Sequence, residues 1–254
     1  MIYALLSGAC VCLGLCSGIG ASTLLRPLLD AVSPLEPAAV SLLCTAGTLG
    51  AALVSAFFAL SQPIALHQDE LLFLAIGAVL GGVLGELVSA RFFAMLSIRG
   101  ALLLQNALLF TLLALPAVYF SRLSARMTPL SITRMAALPV SALLGIAASF
   151  LSFGAVPLSL MTYRLVFGAE NDESSIAALT IALCAMAGKM ITQLIRLRLN
   201  LPHAQVLLWL LPGALLGALA AMIPGLQRSL QRTGGALLSF ALYAALINIC
   251  AALA

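Results

Sequence analysis

The charges of this chain are bunched, and between them lie eight uncharged stretches: residues 1–25, 37–66, 71–85, 100–121, 135–163, 174–188, 204–227 and 233–254. A helix needs roughly 20 apolar residues to cross a hydrocarbon core of about 30 Å. Six of the stretches reach that length unaided, and the two shorter ones reach it when Glu86 and Lys189 count as charges within the membrane. Only 8% of the residues are charged and 63% are hydrophobic, too few charges to cover a water-soluble globule. The stretches are continuously apolar and rich in Leu and Ala, good helix formers, whereas strands of a membrane barrel alternate apolar and polar positions. The expectation is an all-α polytopic membrane protein, integral and multi-pass in a lipid bilayer.

Met1 passes into apolar sequence without a basic segment, so residues 1–25 are expected to be a membrane segment rather than a cleaved leader. The net charge of +4 is spread over short loops. That suits anionic lipid headgroups and lacks the dense basic face of a nucleic-acid site. Cys10, Cys12, Cys16, Cys44, Cys184 and Cys250 all lie in apolar stretches. Without paired CxxC spacing or a nearby His they are expected to pack helices, with no metal and no cofactor.

The chain matches itself. Residues 16–21 align with 150–155, 43–46 with 183–186, 77–81 with 213–217 and 100–103 with 235–238, in one order and at a nearly constant offset. The expected architecture is therefore about eight membrane segments in two four-segment repeats, 1–122 and 135–254. A basic linker, 123–134, joins them beside Arg122, with Arg126 and Arg134 inside it. The first segment of each repeat is interrupted at equivalent places: Gly18, Gly20, Ser22 and Thr23 ahead of Pro27 in one, and Ser152, Gly154 and Pro157 in the other. Gly and Pro open the helical hydrogen-bond ladder. Opened backbone at membrane depth is tolerated where protein or a water-filled cavity satisfies it, and freed amides at a half-helix N-terminus suit an anion. Each segment is then broken or re-entrant, and paired interruptions point to a secondary transporter with its site between the repeats. The competing reading of each stretch is close helix packing through small residues.

The stretch from Gly18 through Arg26 and Pro27 to Leu29 resembles the glycine-rich opening of the sulfite exporter TauE/SafE family. Residues 152–157 are similar to that family's second copy, and 77–85 and 213–217 to its Gly-Ala-Leu-Leu-Gly segment. Ala21, Ser22, Ser152, Ala155 and Val156 stand where the family has glycines, and Arg26 where it has an aliphatic residue. The resemblance implies a permease or exporter for a small, sulfur-containing anion such as sulfite or a sulfonate, in a bacterial cytoplasmic (inner) membrane.

The expected substrate-binding group is Gly18, Gly20, Ser22, Thr23, Arg26, Ser152, Gly154 and Pro157. Arg26 has two readings, a guanidinium clamp on an anion or a snorkelling side chain paired with Asp30 one turn on. Glu86 and Lys189 are candidates for coupling transport to a proton or sodium ion. Against those roles, Glu86 could end a short helix near Arg91, and Lys189 could snorkel toward Arg196 and Arg198. Gln105 and Asn106 are expected to find partners on other helices. His67 and His203 fall in loops, and no catalytic constellation is present, so no enzyme is expected. Basic residues split evenly between the two faces whether eight full crossings or two inverted repeats are drawn, so charge does not orient the chain. Inverted repeats are preferred because they let two states alternate around one site. The alternative function is a non-transporting membrane scaffold or subunit of a larger complex. Oligomeric state is left open.

Overall fold

Most of the described residues in the apolar stretches are helical. The structure, a computed structural model, describes residues 2–32, 35–59, 67–123, 128–130, 132–197 and 204–253. Arg126, Arg198, His203 and the side chains of Arg134 and Arg228 lie outside the described residues. The helices are α1 (Ile2–Cys16), α2 (Ala21–Val32), α3 (Pro37–Ala59), α4 (Gln68–Ala94), α5 (Ile98–Val118) and α6 (Ala137–Leu151). After them come α7 (Val156–Phe167), α8 (Asn171–Leu197), α9 (Ala204–Ala221), α10 (Pro224–Leu230) and α11 (Gly234–Leu253). No strand occurs among the described residues.

The charges bound these helices in the sense the macrodipole favours. Asp69 and Glu70 open α4 and Arg91 closes it, while Asp172 and Glu173 open α8 and Arg196 closes it. At α5, Ser97 caps the N-terminus by accepting from the Gly100 amide at 3.2 Å. Among the described residues, five helices are long and apolar enough to cross a membrane: Pro37–Ala59, Gln68–Ala94, Ile98–Arg122, Asn171–Arg196 and Gly234–Leu253. On α4, Leu72, Ile76, Leu80 and Leu84 form an exposed row at every fourth position. Water would not tolerate such a row on a monomer, but lipid does. The chain is a membrane-embedded helical protein on these grounds.

Small residues set how the helices pack. α6 lies along α4 and α1 along α9, in each case with backbones almost touching. A Cβ at Gly81 would run into the Ala142 carbonyl, and one at Gly213 into the Ala4 carbonyl. These are close-approach contacts of the small-xxx-small kind. They also place the segments 77–81 and 213–217 in the same role, each receiving a first helix from the other half of the chain.

The directions of these contacts fix the chain's path. α6 runs parallel to α4, since Gly77 meets Leu138, Gly81 meets Ala142 and Gly85 meets Ile146. α7 then turns back, for Tyr163 near its end reaches Glu70 at the start of α4. In the other half, α1 runs parallel to α9 and meets it at Gly213 and then Gly217. α2 returns from there toward Glu36. Both interrupted segments are thus bent back on themselves, and they enter from opposite faces of the molecule.

Candidate functional site

The two interruptions are real breaks in the helices, and they touch each other. Between α1 and α2, Gly18 and Gly20 take φ of +77° and +87°. The Gly20 amide bonds the Gly14 carbonyl at 3.0 Å, closing the end of α1. Between α6 and α7, Ser152, Gly154 and Ala155 take φ of +57°, +69° and +51°. Left-handed backbone costs an L residue about 1–2 kcal/mol, so Ser152 and Ala155 are held there by their surroundings. The Ser22 hydroxyl donates to the Phe153 carbonyl across the junction. A Cβ at Gly20 would stand 2.8 Å from that of Val156, and one at Gly154 3.0 Å from Ser22 Oγ. Pro157, buried, occupies the first turn of α7, where its missing N–H removes no hydrogen bond.

Buried charge gathers around this junction. Arg26 is 1% exposed; its Nε donates to Asp30 Oδ2 at 3.1 Å and its Nη2 to Gln105 Oε1 at 2.8 Å. Arg26 Nη1 and Asp30 Oδ1 are buried and have no partner among the described residues. Lys189 is fully buried. Its ammonium donates to the Ser149 carbonyl and, at 2.8 Å, to Ser152 Oγ, so it caps the C-terminus of α6 with a positive charge. It also pairs with Glu86 Oε2 at 3.1 Å. Ser41 Oγ lies 2.8 Å from Ser152 Oγ and accepts from Gln193 Nε2 at 3.2 Å.

A cavity of about 410 Å³ reaches this network from one face. Glu36, Leu96, Ile98 and Arg196 border it, so the start of α3, the end of α4, the start of α5 and the end of α8 share that face. Phe93 and Phe150 form its apolar wall; Ser41, Glu86, Gln105, Gln193 and Arg196 supply its polar groups. Arg26 sits behind Gln105 and Lys189 behind Glu86. A small solute in the cavity would meet an amide or a carboxylate first and a buried cation directly behind it.

Several sequence expectations change here. Gly18 is exposed, and an added Cβ there would meet nothing, so it shapes the turn and stands outside the junction. The Thr23 hydroxyl is spent on the Ile19 carbonyl of its own helix, at 2.7 Å. The snorkelling readings of Arg26 and Lys189 fail because each is buried, although Asp30 does pair with Arg26 as its spacing suggested. Glu86 does not end a helix: α4 continues to Ala94, and Glu86 is 5% exposed between Lys189 and Arg196. Eight full crossings would put Arg196 on the face opposite Arg91 and Arg99, whereas it shares the cavity rim with Leu96 and Ile98.

Asn106 and Gln105 do find interhelical partners: Asn106 Oδ1 accepts from Asn248 at 3.2 Å, and Gln105 accepts from Arg26. Ser41, Gln193 and Arg196 were missed as site residues. Gln193 and Arg196 follow Lys189 at helical spacing, a shared-face signal in the sequence; Ser41 carries no comparable signal. All six cysteines are free thiols, and Cys10, Cys16 and Cys44 are buried. Among family models, curated proteins and solved structures, none matches the chain.

Proposed function

We propose that the chain is a secondary transporter for a small anion, built of two inverted repeats, 1–122 and 135–254, that alternate access around the junction of their broken segments. The observation that carries this reading is the junction itself. Two bent-back segments from opposite faces meet at Gly20, Ser22, Phe153 and Gly154, close to a largely apolar cavity that carries a few polar groups. Non-helical backbone at such depth is the usual setting of a transport site.

The helix pairings support the repeats. Exchanging α1 with α6, α2 with α7, α3 with α8, α4 with α9 and α5 with α11 turns the α1–α9 pair into α6–α4. It likewise turns α3–α9 into α8–α4 and α2–α11 into α7–α5, and it leaves α3–α8 and α5–α11 unchanged. A two-fold relation has that property. Arg26 and Lys189 favour an anion, and the resemblance to the TauE/SafE family favours one containing sulfur, in a bacterial inner membrane. Glu86 and Lys189, a buried ion pair whose carboxylate lines the cavity, suit coupling to a proton or sodium ion.

Flux into proteoliposomes tests this. Purified protein should carry sulfite or a small sulfonate across the bilayer, and the same anions should raise its melting temperature. Folded, reconstituted protein that moves none of sulfite, sulfate, thiosulfate, sulfonates or carboxylates would overturn it. A stoichiometric partner co-purifying with such inert protein would point to the scaffold role.

A further inference from the structure

Both oxygens of the Glu86 carboxylate are occupied, and among the described residues the charged and amide donors on them come from α8. Oε2 takes Lys189 Nζ at 3.1 Å and Gln193 Nε2 at 3.4 Å, and Oε1 takes Arg196 Nη1 at 3.2 Å. Lys189, Gln193 and Arg196 follow one another at helical spacing on one face of α8. The row runs from a fully buried ammonium to a guanidinium that is 49% exposed at the cavity rim. Glu86 comes from a different helix, α4, and lies across this row. With Gln193 and Arg196 it also lines the cavity, so solutes reach the carboxylate and two of its donors from the same side.

A carboxylate is two oxygens on one centre carrying a negative charge. Donors that fit it bidentately also fit other oxyanions of that shape. We propose that the Lys189–Gln193–Arg196 row of α8 is an oxyanion site and that Glu86 is its tethered occupant, displaced by an oxyanion entering from the cavity. The proposal rests on the anion-transporter reading and adds to it where the anion first docks and which class of anion docks there: carboxylates, sulfite and sulfonates rather than halides. Exchange of one oxyanion for another keeps Lys189 compensated throughout, which matters because a buried charge stripped of its partner is strongly destabilising. The other charges near the row are Glu36 at the cavity rim and the mutually paired Arg26 and Asp30 behind Gln105. Asp30 is held by Arg26, and Glu36 is exposed at the rim while Lys189 is fully buried, so Glu86 is the carboxylate paired with Lys189.

The test is chemical rescue of the full-length protein in detergent. Glu86→Ala vacates the site and leaves Lys189 and Arg196 without their carboxylate, so the variant should melt below the wild type. Sodium acetate, methanesulfonate or sulfite should restore its melting temperature at concentrations at least tenfold below those at which sodium chloride does. The wild type, whose site Glu86 already fills, should need higher concentrations of the same salts for an equal rise in melting temperature. Adding Arg196→Gln to the variant should weaken the rescue. If Glu86→Ala does not fold, Glu86→Gln keeps the volume without the charge and should show the same oxyanion response. Equal responses of variant and wild type, or rescue by chloride as good as by acetate, would overturn the proposal. Rescue in a protein without flux leaves the site standing and removes the transporter reading; flux without rescue does the reverse.

Discussion

Arg26 shows what one residue does here. Its charge is held by Asp30 on its own helix and by Gln105 on α5, so its loss uncovers a buried carboxylate as well as removing a donor. Breaking such a pair by removing one partner costs about 3–5 kcal/mol, while replacing both partners with apolar residues is often near neutral. Arg26→Met should therefore lower thermal stability strongly, and Arg26→Met with Asp30→Leu should recover most of it. Neither variant should carry anions if Arg26 serves the site. Flux in the double variant equal to wild type would assign Arg26 to structure alone. The Arg26–Asp30 pair was legible from spacing, because both partners lie on one helix. The partners of Glu86 and Lys189 were not, because each lies on another helix and only packing brings them together.

Among the elements, the two breaks carry the most consequence. Their positions were legible, since Gly, Ser and Pro interrupt otherwise continuous apolar runs. Their internal geometry was not: Ser152 and Ala155 adopt left-handed backbone that their side chains disfavour. Neighbours impose it, with Lys189 and Ser41 bonding Ser152 and Ser22 bonding the Phe153 carbonyl. Gly20 combines a φ of +87° with a 2.8 Å approach to Val156. Gly20→Ala should cost roughly 1–3 kcal/mol from the crowding alone. Val156→Ala should relieve part of that cost but not the part due to backbone angle. A double-mutant cycle by thermal denaturation measures the split, and additive effects would mean that the breaks do not press on each other.

For the whole molecule, the arrangement of faces is the feature to test. At 1.5 Å per residue, α4 and α8 each span about 40 Å, so their two ends reach opposite faces. In a background without the native cysteines, Leu96→Cys and Arg196→Cys should react with a membrane-impermeant thiol reagent from one side of the bilayer. Asp69→Cys and Glu170→Cys should react from the other. Labelling of positions 96 and 196 from opposite sides would restore the arrangement of eight full crossings. Charge counting was silent on this because the basic residues divide evenly between the faces in both arrangements. The backbone-close, parallel pairing of α6 with α4 and of α1 with α9 is what favours the inverted arrangement that the labelling tests.

Hydrophobicity and the placement of Gly and Pro determined, without any tertiary information, that the chain is helical, that it suits a bilayer, and where two segments break. Those properties depend on neighbours in sequence: the length of an apolar run and the local hydrogen-bond ladder. Only the tertiary structure decided that the breaks meet, that Gly18 and Thr23 stand apart from the junction, and that Glu86, Lys189, Gln193 and Arg196 form one network beside a cavity. In so uniform an apolar sequence, contacts between distant segments leave almost no pattern. Small-residue packing and the cost of leaving a buried charge unpaired select them when the helices assemble.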